Sequence, residues 1–115
     1  MIFRTIERDG YTVELEQPTV FVDNEARGRS GHMTHAMTEF KPGCFIDFNS
    51  NCSALRIDGH VPCGWVEYRI SEDAGKTYSD FHTLKYSFDS FLDAIHYISV
   101  EKAVTSADGK IIAFC

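Results

Sequence analysis

The chain has 115 residues, 43% of them hydrophobic and 24% charged, an ordinary globular composition with apolar material for one core. Its 17 acidic and 11 basic residues leave a formal charge of −6 and are scattered along the sequence, which excludes the concentrated basic face that nucleic acid needs. No apolar run reaches the length of a bilayer span, and the start from Met1 to Gly10 lacks the hydrophobic stretch of a signal peptide, so the chain reads as soluble and cytoplasmic with no membrane partner.

Aromatic and β-branched residues dominate, with Gly, Asn, Asp and Pro at short intervals, the pattern of many short antiparallel strands joined by turns. Two alternating runs, Ile2 to Glu7 and Tyr11 to Glu16, flank Asp9-Gly10 and predict a first hairpin. Pro18 interrupts pairing, and the short run Thr19 to Asp23 leads into the polar stretch 24–31. A second hairpin is predicted from Met33 to Phe40 and Cys44 to Asn49, around Lys41-Pro42-Gly43. The residues from Ser50 to Cys63 read as a long loop. Trp65 to Ser71 alternates cleanly, with Val66, Tyr68 and Ile70 on one face and Glu67 and Arg69 on the other, as in a half-buried strand. From Ser87 to Ile95 the spacing of Phe88, Phe91, Leu92 and Ile95 allows one short helix behind Ser87 as a cap.

The cysteines, Cys44, Cys52, Cys63 and Cys115, show no C-x-x-C spacing and read as reduced, buried thiols. Cys52, His60 and Cys63 match no standard zinc pattern, and His32 and His35, three apart on a strand, face opposite ways. Neither a metal nor any other cofactor is expected.

Residues 35–48 can be laid on 102–114 with one residue fewer before the glycine, so that Ala36, Thr38, Gly43, Ile46 and Phe48 meet Ala103, Thr105, Gly109, Ile112 and Phe114. Both copies read strand, Gly turn, strand, the order of the inner strands of a propeller blade.

Ser71-Glu72-Asp73-Ala74-Gly75-Lys76-Thr77-Tyr78 fills every position of the pattern Ser-x-Asp-x-Gly-x-Thr-aromatic. The Asp73 carboxylate can accept turn N–H groups, Gly75 can take positive φ, and Thr77 and Tyr78 can restart the strand with the ring packed inward. The octapeptide resembles the Asp-box (BNR repeat) of the sialidase (neuraminidase) superfamily. The resemblance covers roughly residues 32–115. It implies a mainly β fold, with about two blades of a sialidase-like β-propeller: residues 32–86 as the first blade and 98–115 as the start of the next, the whole chain being an N-terminal part of the domain.

The same resemblance implies an exo-α-sialidase type of glycoside hydrolase, cleaving terminal sialic acid or a related sugar, with Asp58 in the place of the general acid. The alternative is a non-catalytic Asp-box propeller that binds glycan or protein through its loops. Met33 stands where the family carries a carboxylate-binding arginine, and methionine makes no bidentate ion pair. Arg27, Arg29 and Arg56, on adjoining loops, are the candidates to bind substrate in its stead. In sialidases the nucleophilic tyrosine and its glutamate come from later blades, so these residues alone are expected to be inactive. The apolar strand Ile111 to Phe114 predicts self-association through an exposed edge.

Overall fold

The computed structural model describes residues 1–29, 32–52, 64–93 and 98–115; of residues 32, 33, 51 and 52 it describes the backbone. The fold is mainly β, with eight strands and one short helix among the described residues. β1 (Ile2–Arg8) and β2 (Tyr11–Glu16) form an antiparallel hairpin whose turn holds Gly10 at φ 88°. β3 (His32–Lys41), β4 (Cys44–Cys52), β5 (Gly64–Ser71) and the two-residue β6 (His82–Thr83) form a four-stranded antiparallel meander in that order. After α1 (Lys85–Leu92), β7 (Lys102–Thr105) and β8 (Ile111–Phe114) make a third, two-stranded sheet.

These elements follow the local chemistry of the chain, with three differences. Thr19 to Asp23 forms no strand. The helix begins at Lys85, and Ser87 is not its cap: it is buried inside the first turns, where its hydroxyl accepts from Val66 N at 2.9 Å and donates to Leu84 O at 2.8 Å. A buried strand amide has taken the serine because both groups need a partner away from water. Cys44 is buried as expected, but Cys115 is exposed, and Cys63 and His60 lie outside the described residues.

One face of the meander carries Ala36, Ile46, Phe48 and Val66, which with Val100 and Ala103 form the core. The β7–β8 sheet lies against this face, and Thr38 Oγ1 meets Thr105 Oγ1 at 3.1 Å. Each of the two hairpins turns on a positive-φ glycine, Gly43 and Gly109, but their ladders do not follow the sequence match of 35–48 on 102–114 throughout. Counted from Gly43 and Gly109, Ile46 corresponds to Ile112, Asp47 to Ala113 and Phe48 to Phe114. Their partners across the ladder are Thr38, Met37 and Ala36 in one sheet and Val104, Ala103 and Lys102 in the other. The identities on the second strand of each copy are therefore structural equivalents, while Ala36 with Ala103 and Thr38 with Thr105 are one residue out of step. An irregularity between Glu39 and Lys41 absorbs the extra residue.

A shift of one residue exchanges the faces of a strand, and here it decides how the sheets stack. Ala103, Thr105 and Ala113, which face the core, correspond to the side of the meander that carries Met37 and Asp47. The opposite side of β7–β8, with Lys102, Val104, Ile112 and Phe114, corresponds to the core face of the meander, and its Val104, Ile112 and Phe114 are exposed. The core is thus closed between the apolar face of the meander and the face of β7–β8 that carries Ala103 and Ala113.

Candidate functional site

The second face of the meander is polar and yet covered. Asp47 and Asn49 are 0% exposed and Glu67 7%, so β5 is closed on both faces where its alternation reads as half-buried. The cover is the segment from Phe21 to Arg29. Asp23 opens its turn by accepting the Ala26 N–H, Arg27 N and Arg29 N both donate to Asn24 O, and Gly28 takes φ 68°. That turn buries Asn24, whose side-chain oxygen accepts from Asn49 Nδ2 at 3.2 Å.

Guanidinium groups then alternate with aromatic rings across the face. Arg69 Nε donates to Asp47 Oδ2 at 2.9 Å and Nη2 to the Phe21 carbonyl at 3.3 Å, while its carbon centre lies 4.2 Å from the Phe21 ring and 4.4 Å from that of Tyr78. His35 Nδ1 shares the same carboxylate at 3.2 Å. Arg27 stacks on Phe81 at 3.8 Å and binds Glu67 Oε2 at 2.8 Å; Arg29 stacks on Trp65 at 3.7 Å and lies 3.6 Å from Glu67 Oε1. Trp65 packs in turn on Phe88 and Phe91 of α1. Flat, weakly hydrated guanidinium groups suit such stacking while keeping their edges for carboxylates.

Two ends of the meander have distinct characters. At one, Ser71 Oγ donates to Asp73 Oδ1 at 2.9 Å, and Asp73 accepts from Thr77 N at 2.9 Å and Thr77 Oγ1 at 2.6 Å. Gly75, at φ 82°, sends its N–H to Ser71 Oγ, and Ala74 also has a positive φ of 60°. The Thr77 donors hold the Asp73 carboxyl at about 2, below its ordinary 3.8. Ala74 N donates to Gly43 O, tying this bend to the β3–β4 turn. The bend joins β5 to β6, and Thr77 and Tyr78 stand before the strand resumes at His82. Burial pushes the Tyr78 phenol up, with Asp47 adding to the effect and Arg69 opposing it. An open groove of about 530 Å3 runs beside the bend, lined by Ile70, Glu72, Asp73, Tyr78 and His82 among others.

At the other end, Cys52 pairs with Gly64, and the sequence between them carries Arg56 and Asp58, both outside the described residues. Arg27 and Arg29 meet at this end, around Glu67. Neither is a solvated surface arginine, their side chains being 29% and 8% exposed. Among the described residues Glu67 meets both guanidinium groups, and each of these is stacked on an aromatic ring. Met33 belongs here by its place at the start of β3. Among the described residues no cluster of His, Cys, Asp and Glu could hold a metal ion. No helix among them is long and apolar enough to cross a membrane.

Glu67, Asp47 and His35 are the site residues that sequence reasoning missed. A signal was present: Asp47 and Arg69 fall opposite one another once the two predicted strands are paired, and so do Asn49 and Glu67. No family model matches the chain, and no curated protein or solved structure matches it either.

Proposed function

We propose that the chain is a portion of a sialidase-like Asp-box β-propeller, with residues 32–86 as one blade and 98–115 as the start of the next, and that it handles a glycan at the end of the meander where Arg27 and Arg29 meet Glu67. The observation that carries this reading is the Asp73-braced bend in a four-stranded antiparallel meander whose core face is covered by the β7–β8 hairpin. A propeller sets four-stranded blades around a central channel. The ligand class, terminal sialic acid or a related sugar, is the one that the Asp-box resemblance implies.

Two chemistries are open to such a site. In a sialidase-like glycoside hydrolase of the exo-α-sialidase type, Asp58 acts as general acid from the β4–β5 connection, and Arg56 joins Arg27 and Arg29 on the substrate. In a non-catalytic propeller the same end binds glycan or protein, and the sharing of Glu67 by Arg27 and Arg29 favours this second reading, since their charge is already partly answered.

A fluorogenic sialoside assay on the 115-residue chain, paired with an NMR titration by sialyllactose, separates the two. Weak binding without turnover is expected. Turnover abolished by Asp58→Asn establishes the hydrolase. If neither turnover nor a shift at Arg27, Arg29 or Trp65 is seen, the sugar-acid reading falls.

A further inference from the structure

The segment that covers the polar face of the meander is not a strand of the sheet. From Phe21 to Arg29 it forms a turn, with Arg27 N and Arg29 N closing on its own Asn24 carbonyl. What it presents to the sheet is Arg27-Gly28-Arg29. Gly28, at φ 68°, takes a conformation that a residue with a side chain rarely adopts, and the arginines on either side of it reach one carboxylate, that of Glu67.

The meander supplies the other half of a guanidinium site. Glu67 provides the carboxylate, and Trp65 and Phe81 provide flat faces on which Arg29 and Arg27 lie at 3.7 and 3.8 Å. A carboxylate beside two aromatic faces matches the edges and planes of guanidinium groups, and not the compact charge of a lysine. The present occupant does not satisfy everything here. Asn49 is 0% exposed and pairs with Glu67 across the ladder, and Trp65, two residues from Glu67, points to the same face. Asn49 Oδ1 and Trp65 Nε1 are buried with no hydrogen-bond partner among the described residues. One is an acceptor and the other a donor, the two kinds of group that a peptide backbone complements, and leaving them unmade costs stability. An arginine segment whose own N–H and C=O reached them would be held more firmly than the segment already there.

We propose that this face is a docking site for an Arg-Gly-Arg segment of a partner protein, and that residues 27–29 occupy it in cis until the partner displaces them. Tethered close by, the covering segment competes at an effective concentration in the millimolar range. The site is therefore closed to weak basic ligands and opens to one that also bonds the Asn49 and Trp65 side chains. The inference rests on the reading of this end of the meander as protein-binding and names the partner's chemistry. Its readout is the exchange of one arginine segment for another, so a chain that binds no sugar still tests it.

Trp65 is the sole tryptophan of the chain, so its fluorescence reports the site directly. The 115-residue wild type, Arg27→Ala/Arg29→Ala and Arg27→Ala/Arg29→Ala/Glu67→Gln are titrated with a capped peptide of residues 23–29, and with the same peptide carrying lysine at both arginine positions. The double variant should bind the arginine peptide roughly tenfold more tightly than the wild type does, because no segment in cis competes. It should also prefer the arginine peptide to the lysine peptide roughly tenfold, and Glu67→Gln should abolish binding. Where circular dichroism shows the double variant unfolded, Arg27→Ala alone carries the comparison, at a side chain 29% exposed. A folded variant whose Trp65 emission is unchanged by the arginine peptide at millimolar concentration overturns the proposal. So does equal affinity for the two peptides, or binding that survives Glu67→Gln.

Discussion

Replacing Asp47 by alanine removes the carboxylate that holds Arg69, the side chain that bonds the covering segment through the Phe21 carbonyl. Asp47 is 0% exposed and the Arg69 side chain 11%, so the 2.9 Å contact between them is screened little by solvent. Unit charges about 4 Å apart attract by about 4 kcal/mol at an effective dielectric constant of about 20. With the carboxylate gone, Arg69 keeps the Phe21 carbonyl at 3.3 Å and the ring faces of Phe21 and Tyr78, none of which carries a countercharge. Breaking a buried pair from one side costs about 3–5 kcal/mol, against a total stability of about 5–15 kcal/mol for a domain. His35, 28% exposed, can turn to water and adds little. Urea unfolding followed by circular dichroism should therefore show a midpoint well below that of the wild type at an unchanged slope. The double variant Asp47→Ala/Arg69→Met strands no charge and should recover about 2 kcal/mol or more of the summed losses. A loss below about 1 kcal/mol for Asp47→Ala, or single losses that simply add, would place the pair among ordinary surface ion pairs and refute the reasoning.

Two further outcomes follow from local geometry. Since the folded Asp73 carboxyl titrates at about 2 against 3.8 ordinarily, its stabilising effect is present above the ordinary value and is lost as pH falls through about 2; protection of the Gly75 and Thr77 amides, measured relative to unstructured peptide, should fall over that window, and Asp73→Asn should remove this fall. Ser87→Ala leaves the buried Val66 N–H without its 2.9 Å acceptor, so a loss of about 1–3 kcal/mol in thermal or urea unfolding is expected.

How much of this was legible beforehand varied with the range of the interactions. The hairpin turns at Gly10, Gly43 and Gly109 could be read because positive φ, at 88°, 75° and 79°, is a demand that glycine meets within its own peptide unit. The brace around Asp73 could be read for the same reason, all its partners lying within four residues. Arg27 and Arg29 were picked out by type and place, but their acceptor, Glu67, is 40 residues from Arg27, and nothing local distinguishes an arginine that will find a carboxylate from one that will face water. Ser87 looked like a cap because serine at a helix start usually bonds the helix; it bonds a strand instead because β5 passes close by.

Strand periods, turn positions, the short helix and the box motif were determined by the order of residues alone, since each depends on groups a few bonds or one turn apart. Only the tertiary structure decided which face of each strand is buried, where a single extra residue between Glu39 and Lys41 slips one repeat against the other, and what covers the polar side of the meander. Those outcomes depend on which distant surfaces exclude water from one another, a condition that no window along the chain contains.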